Sequence, residues 1–121
     1  MRRYLFAILS LVGTAAFAQG FRDTDKFFDV DGLTTVLSGQ VIEFYDGSLA
    51  SYGVAGDYEF AYAPGEPPFR GIYEIGDRGE VCVDFDNGFG RCDTYVRSTD
   101  RIILVIEDGQ RFPVKSVQPI N

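Results

Sequence analysis

The sequence predicts a mainly β protein: an antiparallel meander of about eight strands forming a small barrel or strongly curved sheet, with one short N-terminal helix. Three observations carry this. From Gln40 onward, short runs rich in Val, Ile, Tyr and Phe are broken by Asp-Gly, Gly-Asp and Pro-Gly. Every connection between runs is short, so neighbours in sequence should pair antiparallel. A meander of this length escapes exposed edges by curling on itself.

The chain opens with Arg2 and Arg3, an apolar stretch from Tyr4 to Val12, and the small-residue pattern Ala16-Phe17-Ala18. That order reads as a cleavable export signal over residues 1–18, with the mature chain starting at Gln19. Its apolar run is shorter than the ~20 residues a membrane-spanning helix needs. A lipid anchor would need a cysteine directly after the cleavage point, where Gln19 and Gly20 stand. The expected product is therefore periplasmic or secreted, with no stable membrane anchor after cleavage. Taking 18 from 121 residues leaves 103, enough for a single domain over 19–121.

Residues 19–28 lack a clear period and read as an extended lead-in, ordered in part by Phe27 and Phe28. Next, Asp31 is placed to cap a short helix in which Leu33, Val36 and Leu37 form one apolar stripe, and Gly39 suits its C-terminal end. Two turns of helix are unstable alone, so the stripe should cover one end or edge of the sheet. Strands are expected near 40–45, 48–54, 58–62, 69–75, 80–85, 89–97, 101–107 and 110–117.

Two hairpins can be argued residue by residue. With Gly88 left-handed in the loop Asp86-Asn87-Gly88, Phe85 faces Phe89, Asp84 faces Gly90, and Cys82 falls opposite Cys92. That register sets the cysteines at a non-hydrogen-bonded pair, where Cα atoms approach to about 4.5 Å, within reach of a disulfide. An even cysteine count in an exported chain favours the same structural bridge. The second hairpin has the loop Ala63 to Pro68, and a symmetric reading pairs Tyr62 with Phe69, Phe60 with Gly71 and Tyr58 with Tyr73. The aromatic stripe so formed reads as core, and the interior is expected to be filled.

Composition narrows the function. Histidine and tryptophan are absent and Met1 is the sole methionine, which removes the usual axial ligands of haem and copper, most zinc sites, and any nucleophile–histidine centre. No metal site, cofactor or catalytic residue is assigned. Asp84 to Gly88 superficially suggests a calcium loop, but its glycine comes a position early and the distal glutamate is missing. Losing Arg2 and Arg3 leaves 9 of the 11 basic residues against 18 acidic ones, a formal charge of −9. Nucleic acid and anionic membranes are poor partners for such a surface. The stiff, charged tip Pro64, Gly65, Glu66, Pro67 and Pro68 is the candidate loop for binding a protein partner.

Leu33 and Leu37-Ser38-Gly39, the Asp46-Gly47 turn, Gly71-Ile72-Tyr73 and the Cys82…Cys92 hairpin together resemble small exported β-rich proteins of alphaproteobacteria. Those show a leucine-rich helix ending in Ser-Gly, a Gly-x-Trp strand and a cysteine hairpin; here Tyr73 stands in the tryptophan position. The resemblance implies a periplasmic β domain and brings no activity. A non-enzymatic binding or envelope protein is the leading expectation. The alternatives are an inhibitor of an extracellular hydrolase such as lysozyme, a small-molecule or lipid carrier, and a carboxylate-dependent hydrolase using Glu59 or Asp84.

Overall fold

Strand pairing runs from β2 through β9 and returns to β2, closing an eight-stranded antiparallel barrel in a computed structural model that describes residues 20–121. The expected export signal lies outside the described residues. The elements are β1 (Asp25–Phe27), α1 (Val30–Leu37), β2 (Gln40–Phe44), β3 (Leu49–Tyr52), β4 (Asp57–Ala61), β5 (Phe69–Ile75), β6 (Glu80–Phe85), β7 (Gly90–Ser98), β8 (Arg101–Val105) and β9 (Arg111–Pro119). Closure requires β9 to meet both β8 and β2, which it does in succession, with a bulge opposite Glu43 and Phe44. None of the described helices is long and apolar enough to cross a membrane.

Alternation along each strand sends one set of side chains inward. Ile42 and Phe44, Ala50 and Tyr52, Val81 and Val83, and Tyr95 are buried in the main core, joined by Leu33 and Leu37 from α1, which are wholly buried. The helix thus seals the end of the barrel where β2 begins. Its N-cap is Asp29, whose carboxylate accepts from the Gly32 amide at 2.7 Å, and not Asp31. The helix starts a residue before Asp31, which falls in the first turn, where its charge still favours the helix dipole. Gly39, at φ 77°, turns the chain out of α1, and its amide bonds the Tyr52 carbonyl at 2.7 Å.

The lead-in is more ordered than its sequence suggests. Asp25 to Phe27 pair with the last residues of β7, and Phe27 packs on a second small core of Val96, Ile103 and Val105. These alternate with inward Tyr95 and Leu104, so this core lies on the barrel's outer face. Arg111 fastens the segment: it donates to both Asp25 carboxylate oxygens, at 2.7 and 2.9 Å, and to the Gly20 carbonyl at 2.6 Å.

The β6–β7 hairpin has the expected register, Cys82 opposite Cys92 and Asp84 opposite Gly90. The two cysteines form a disulfide across a Cα–Cα distance of 4.0 Å. The β4–β5 hairpin corrects the symmetric reading. Tyr58 faces Gly71 and Phe60 faces Phe69, two residues out of the expected register. Pro67 and Pro68 have no amide to donate, so the ladder ends early and the loop splays. A two-residue slip keeps each side chain on its face, and the stripe still points inward.

Candidate functional site

In a closed meander the odd turns share one end. The β2–β3, β4–β5, β6–β7 and β8–β9 turns lie opposite α1, and there the barrel opens into a cavity of about 340 Å³. The expected filled interior holds only for the sealed half. Aromatic and aliphatic side chains close that half, whereas at the mouth the β4–β5 loop splays, and residues 90–93 of β7 have no partner on the β8 side among the described strands.

The floor is a cluster of phenols. The Tyr52 and Tyr95 hydroxyls hydrogen-bond each other at 2.7 Å, and the Tyr58 ring meets Tyr52 edge-on at 5.2 Å. Burial drives the pKa of all three well above that of free tyrosine. All three are neutral at physiological pH and offer no phenolate; Tyr52 and Tyr58 line the cavity, and the wholly buried Tyr95 backs them from below. Val81, Val83 and Ala50 continue the wall.

One side rises as perpendicular rings: Phe60 meets Tyr62 at 5.1 Å and Tyr62 meets Phe69 at 5.8 Å. With Phe89 on the neighbouring β6–β7 hairpin, Tyr62 and Phe69 form an exposed apolar rim, the relative exposures of Phe89, Tyr62 and Phe69 being 73%, 64% and 46%. Large aromatic groups left in water around a concavity mark a binding surface more often than a packing defect.

Two charged residues of β7 also point inward. Arg91 and Asp93 face Val83 and Val81 and form a two-point ion pair, Nε to Oδ2 at 2.8 Å and Nη2 to Oδ1 at 3.1 Å. Burial raises the Asp93 pKa, opposed by Arg91 and assisted by nearby Glu107. At the rim, Asp46 accepts from both the hydroxyl and the amide of Ser48, which hold its carboxyl below the usual range and keep it ionised.

The sequence-predicted positions divide. Pro64 to Pro68 form a surface loop standing beside the mouth, with Gly65 at φ 85° and the Glu66 amide bonded to the Ala63 carbonyl at 3.2 Å; the loop's bases, Tyr62 and Phe69, line the cavity. Cys82 and Cys92 lie outside the barrel, alternating with inward Val81, Val83, Arg91 and Asp93. Glu59 and Asp84 do not line the cavity, and Glu59 pairs with Arg70 at 3.0 Å on the surface. Asp86 to Gly88 form the expected turn, in which the Asn87 side chain accepts from the Phe89 amide at 3.0 Å. Among the described residues, Glu80, Cys82 and Cys92 lie close enough to share an ion, but both sulfurs are in the disulfide and offer no thiolate.

Arg91, Asp93 and the phenol floor were missed in the sequence, although a signal exists. Once Cys82 is set opposite Cys92, alternation turns Arg91, Asp93 and Tyr95 inward. Comparison with protein-family models, curated proteins and solved structures returns no match. The class that fold and site define is a one-ended β-barrel with an aromatic cup.

Proposed function

We propose that this is an exported, non-enzymatic binding protein whose barrel mouth takes a small apolar molecule. The carrying observation is the cup of about 340 Å³, open at one end, floored by neutral phenols and rimmed by exposed aromatic rings. Its volume is at the lower end of the ~300–1,000 Å³ typical of small-molecule sites. Export is supported by the disulfide together with the signal-like N-terminal sequence. Titration with 1-octanol, followed by NMR shifts at Ala50, Tyr52 and Tyr58, tests the reading. Saturable shifts confined to cup residues are expected; an unperturbed spectrum would refute it.

A second reading, inhibition of an extracellular hydrolase such as lysozyme, draws on the exposed, proline-stiffened Pro64–Pro68 tip beside an acidic mouth. It predicts loss of lysozyme activity at excess protein and recovery when Glu66 and its flanking prolines are replaced. Unchanged lysozyme activity would eliminate it.

A further inference from the structure

The same cup carries information about the charge of its occupant, and the inference that follows rests on the cup being a small-molecule site. Each of the four turns around the mouth contributes at least one carboxylate: Asp46, Glu66, Asp86, and the pair Glu107 and Asp108. The basic residues on the neighbouring strands are already engaged. Arg70 is paired with Glu59, and Arg111 is committed to Asp25 and the Gly20 carbonyl.

Among the described residues Arg91 is the one cation lining the cavity, and an anionic ligand would have to use it. Two of its nitrogens are bound by Asp93, and Asp108 lies near enough to interact with it as well. An incoming carboxylate would therefore compete with a carboxylate already in place, under the field of the rim acids. A cation meets the opposite situation. It finds exposed aromatic faces at the rim, whose ring quadrupoles attract an ammonium, and a surrounding field of favourable sign.

We infer that the occupant is a monocationic amphiphile, an alkyl or aryl tail bearing a substituted ammonium head. The tail enters the cup toward Ala50 and the phenol floor. The head stays at the rim among Tyr62, Phe69 and Phe89, facing the turn carboxylates. Fatty acids and other anionic amphiphiles of equal length are discriminated against.

The test uses three probes sharing one tail: octyltrimethylammonium, 1-octanol and octanoate, titrated into the intact protein by NMR at low and at high salt. The expected order of affinity is ammonium, then alcohol, then carboxylate. Several unit charges taken at about 10 Å through a water-like dielectric make the expected ammonium-to-carboxylate ratio at least about tenfold at low salt. The ratio should collapse toward the intrinsic head-group difference at high salt, because rim charges are screened. The triple variant Glu66→Gln, Asp86→Asn, Glu107→Gln should narrow the low-salt ratio and leave octanol affinity unchanged. Octanol binding with all three heads equivalent, or with octanoate tightest, would overturn the charge inference while leaving the cup as a binding site. Failure of all three probes to bind would overturn both.

Discussion

Replacing Ala50 with leucine separates a binding cup from a merely imperfect core. Ala50 lies midway along β3, facing Ile42 on one neighbour and Phe60 on the other; it is 2% exposed and lines the cavity. Leucine adds three carbons toward that space. At about 0.8 kcal/mol per methylene removed from water, complete burial would stabilise the fold by about 2 kcal/mol. Because the cup opens to solvent, about half of that, 1 kcal/mol, is the better figure, equivalent to a Tm rise of about 4–8 °C for a domain of this size. The same three carbons occupy room that a ligand tail would use. Octanol should lose about 2 kcal/mol, or about thirtyfold in affinity. Calorimetric unfolding and octanol titration of the two proteins therefore move in opposite directions. A lower Tm with octanol affinity intact would mean that the space above Ala50 is not where the ligand sits, and the reasoning would fail.

Three further outcomes follow from the same geometry. Replacing Cys82 and Cys92 with serine should cost about 2–3 kcal/mol, the chain-entropy value for a loop of about ten residues, and should also weaken octanol binding; calorimetry and the same titration check both. The Asp25 carboxyl is held below its ordinary value, first by its hydrogen bonds to Arg111, so its contribution is complete above the unfolded-state pKa of about 3.9 and is lost as pH falls through the lower folded-state value. The Asp25→Asn variant should be less stable at neutral pH by about 3 kcal/mol, the cost of breaking a buried pair, and the Tm curves of variant and parent should converge at the acid end; a constant gap down to the lowest pH would contradict this. Gly71→Ala should destabilise by about 1–3 kcal/mol by overpacking, because a Cβ there runs into the Asp84 carbonyl; a denaturant midpoint matching the parent would show that β5 and β6 can part freely.

What could be read from the sequence depended on how tightly local chemistry fixes geometry. A three-residue turn with a left-handed glycine permits one register, and the β6–β7 hairpin with its disulfide came out as expected. A long loop ending in two prolines permits several, and the β4–β5 hairpin slipped by two. The slip left the inward face intact, because alternation fixes parity without fixing partners. The β1 strand had no period to announce it. Its three residues are ordered by β7 and by Arg111, 86 positions from Asp25, and such a pairing has no local trace. The cavity was illegible for a related reason. Inward residues can be named from parity, but whether they fill the barrel depends on stagger and on where the strands part company.

The parting of β7 explains why the disulfide sits where it does. The strand pairs with β6 along residues 90–94, and with β8 and β1 only along its later half. Residues 90–93 therefore form an edge held from one side, the kind of segment that frays or recruits foreign strands. Arg91 and Asp93 lie on the inner face of this edge and Cys92 on its outer face. Fraying would carry the ion pair out of the mouth into water, where the attraction between its partners weakens and the guanidinium is more easily shared with anions. The bridge to Cys82 ties the edge to β6 at its centre, on the side where it takes up no cavity volume. If that is its role, octyl-chain affinity and the ammonium-over-carboxylate preference should both decline in the serine double variant even at temperatures where it remains fully folded, an effect that loss of bulk stability alone does not produce.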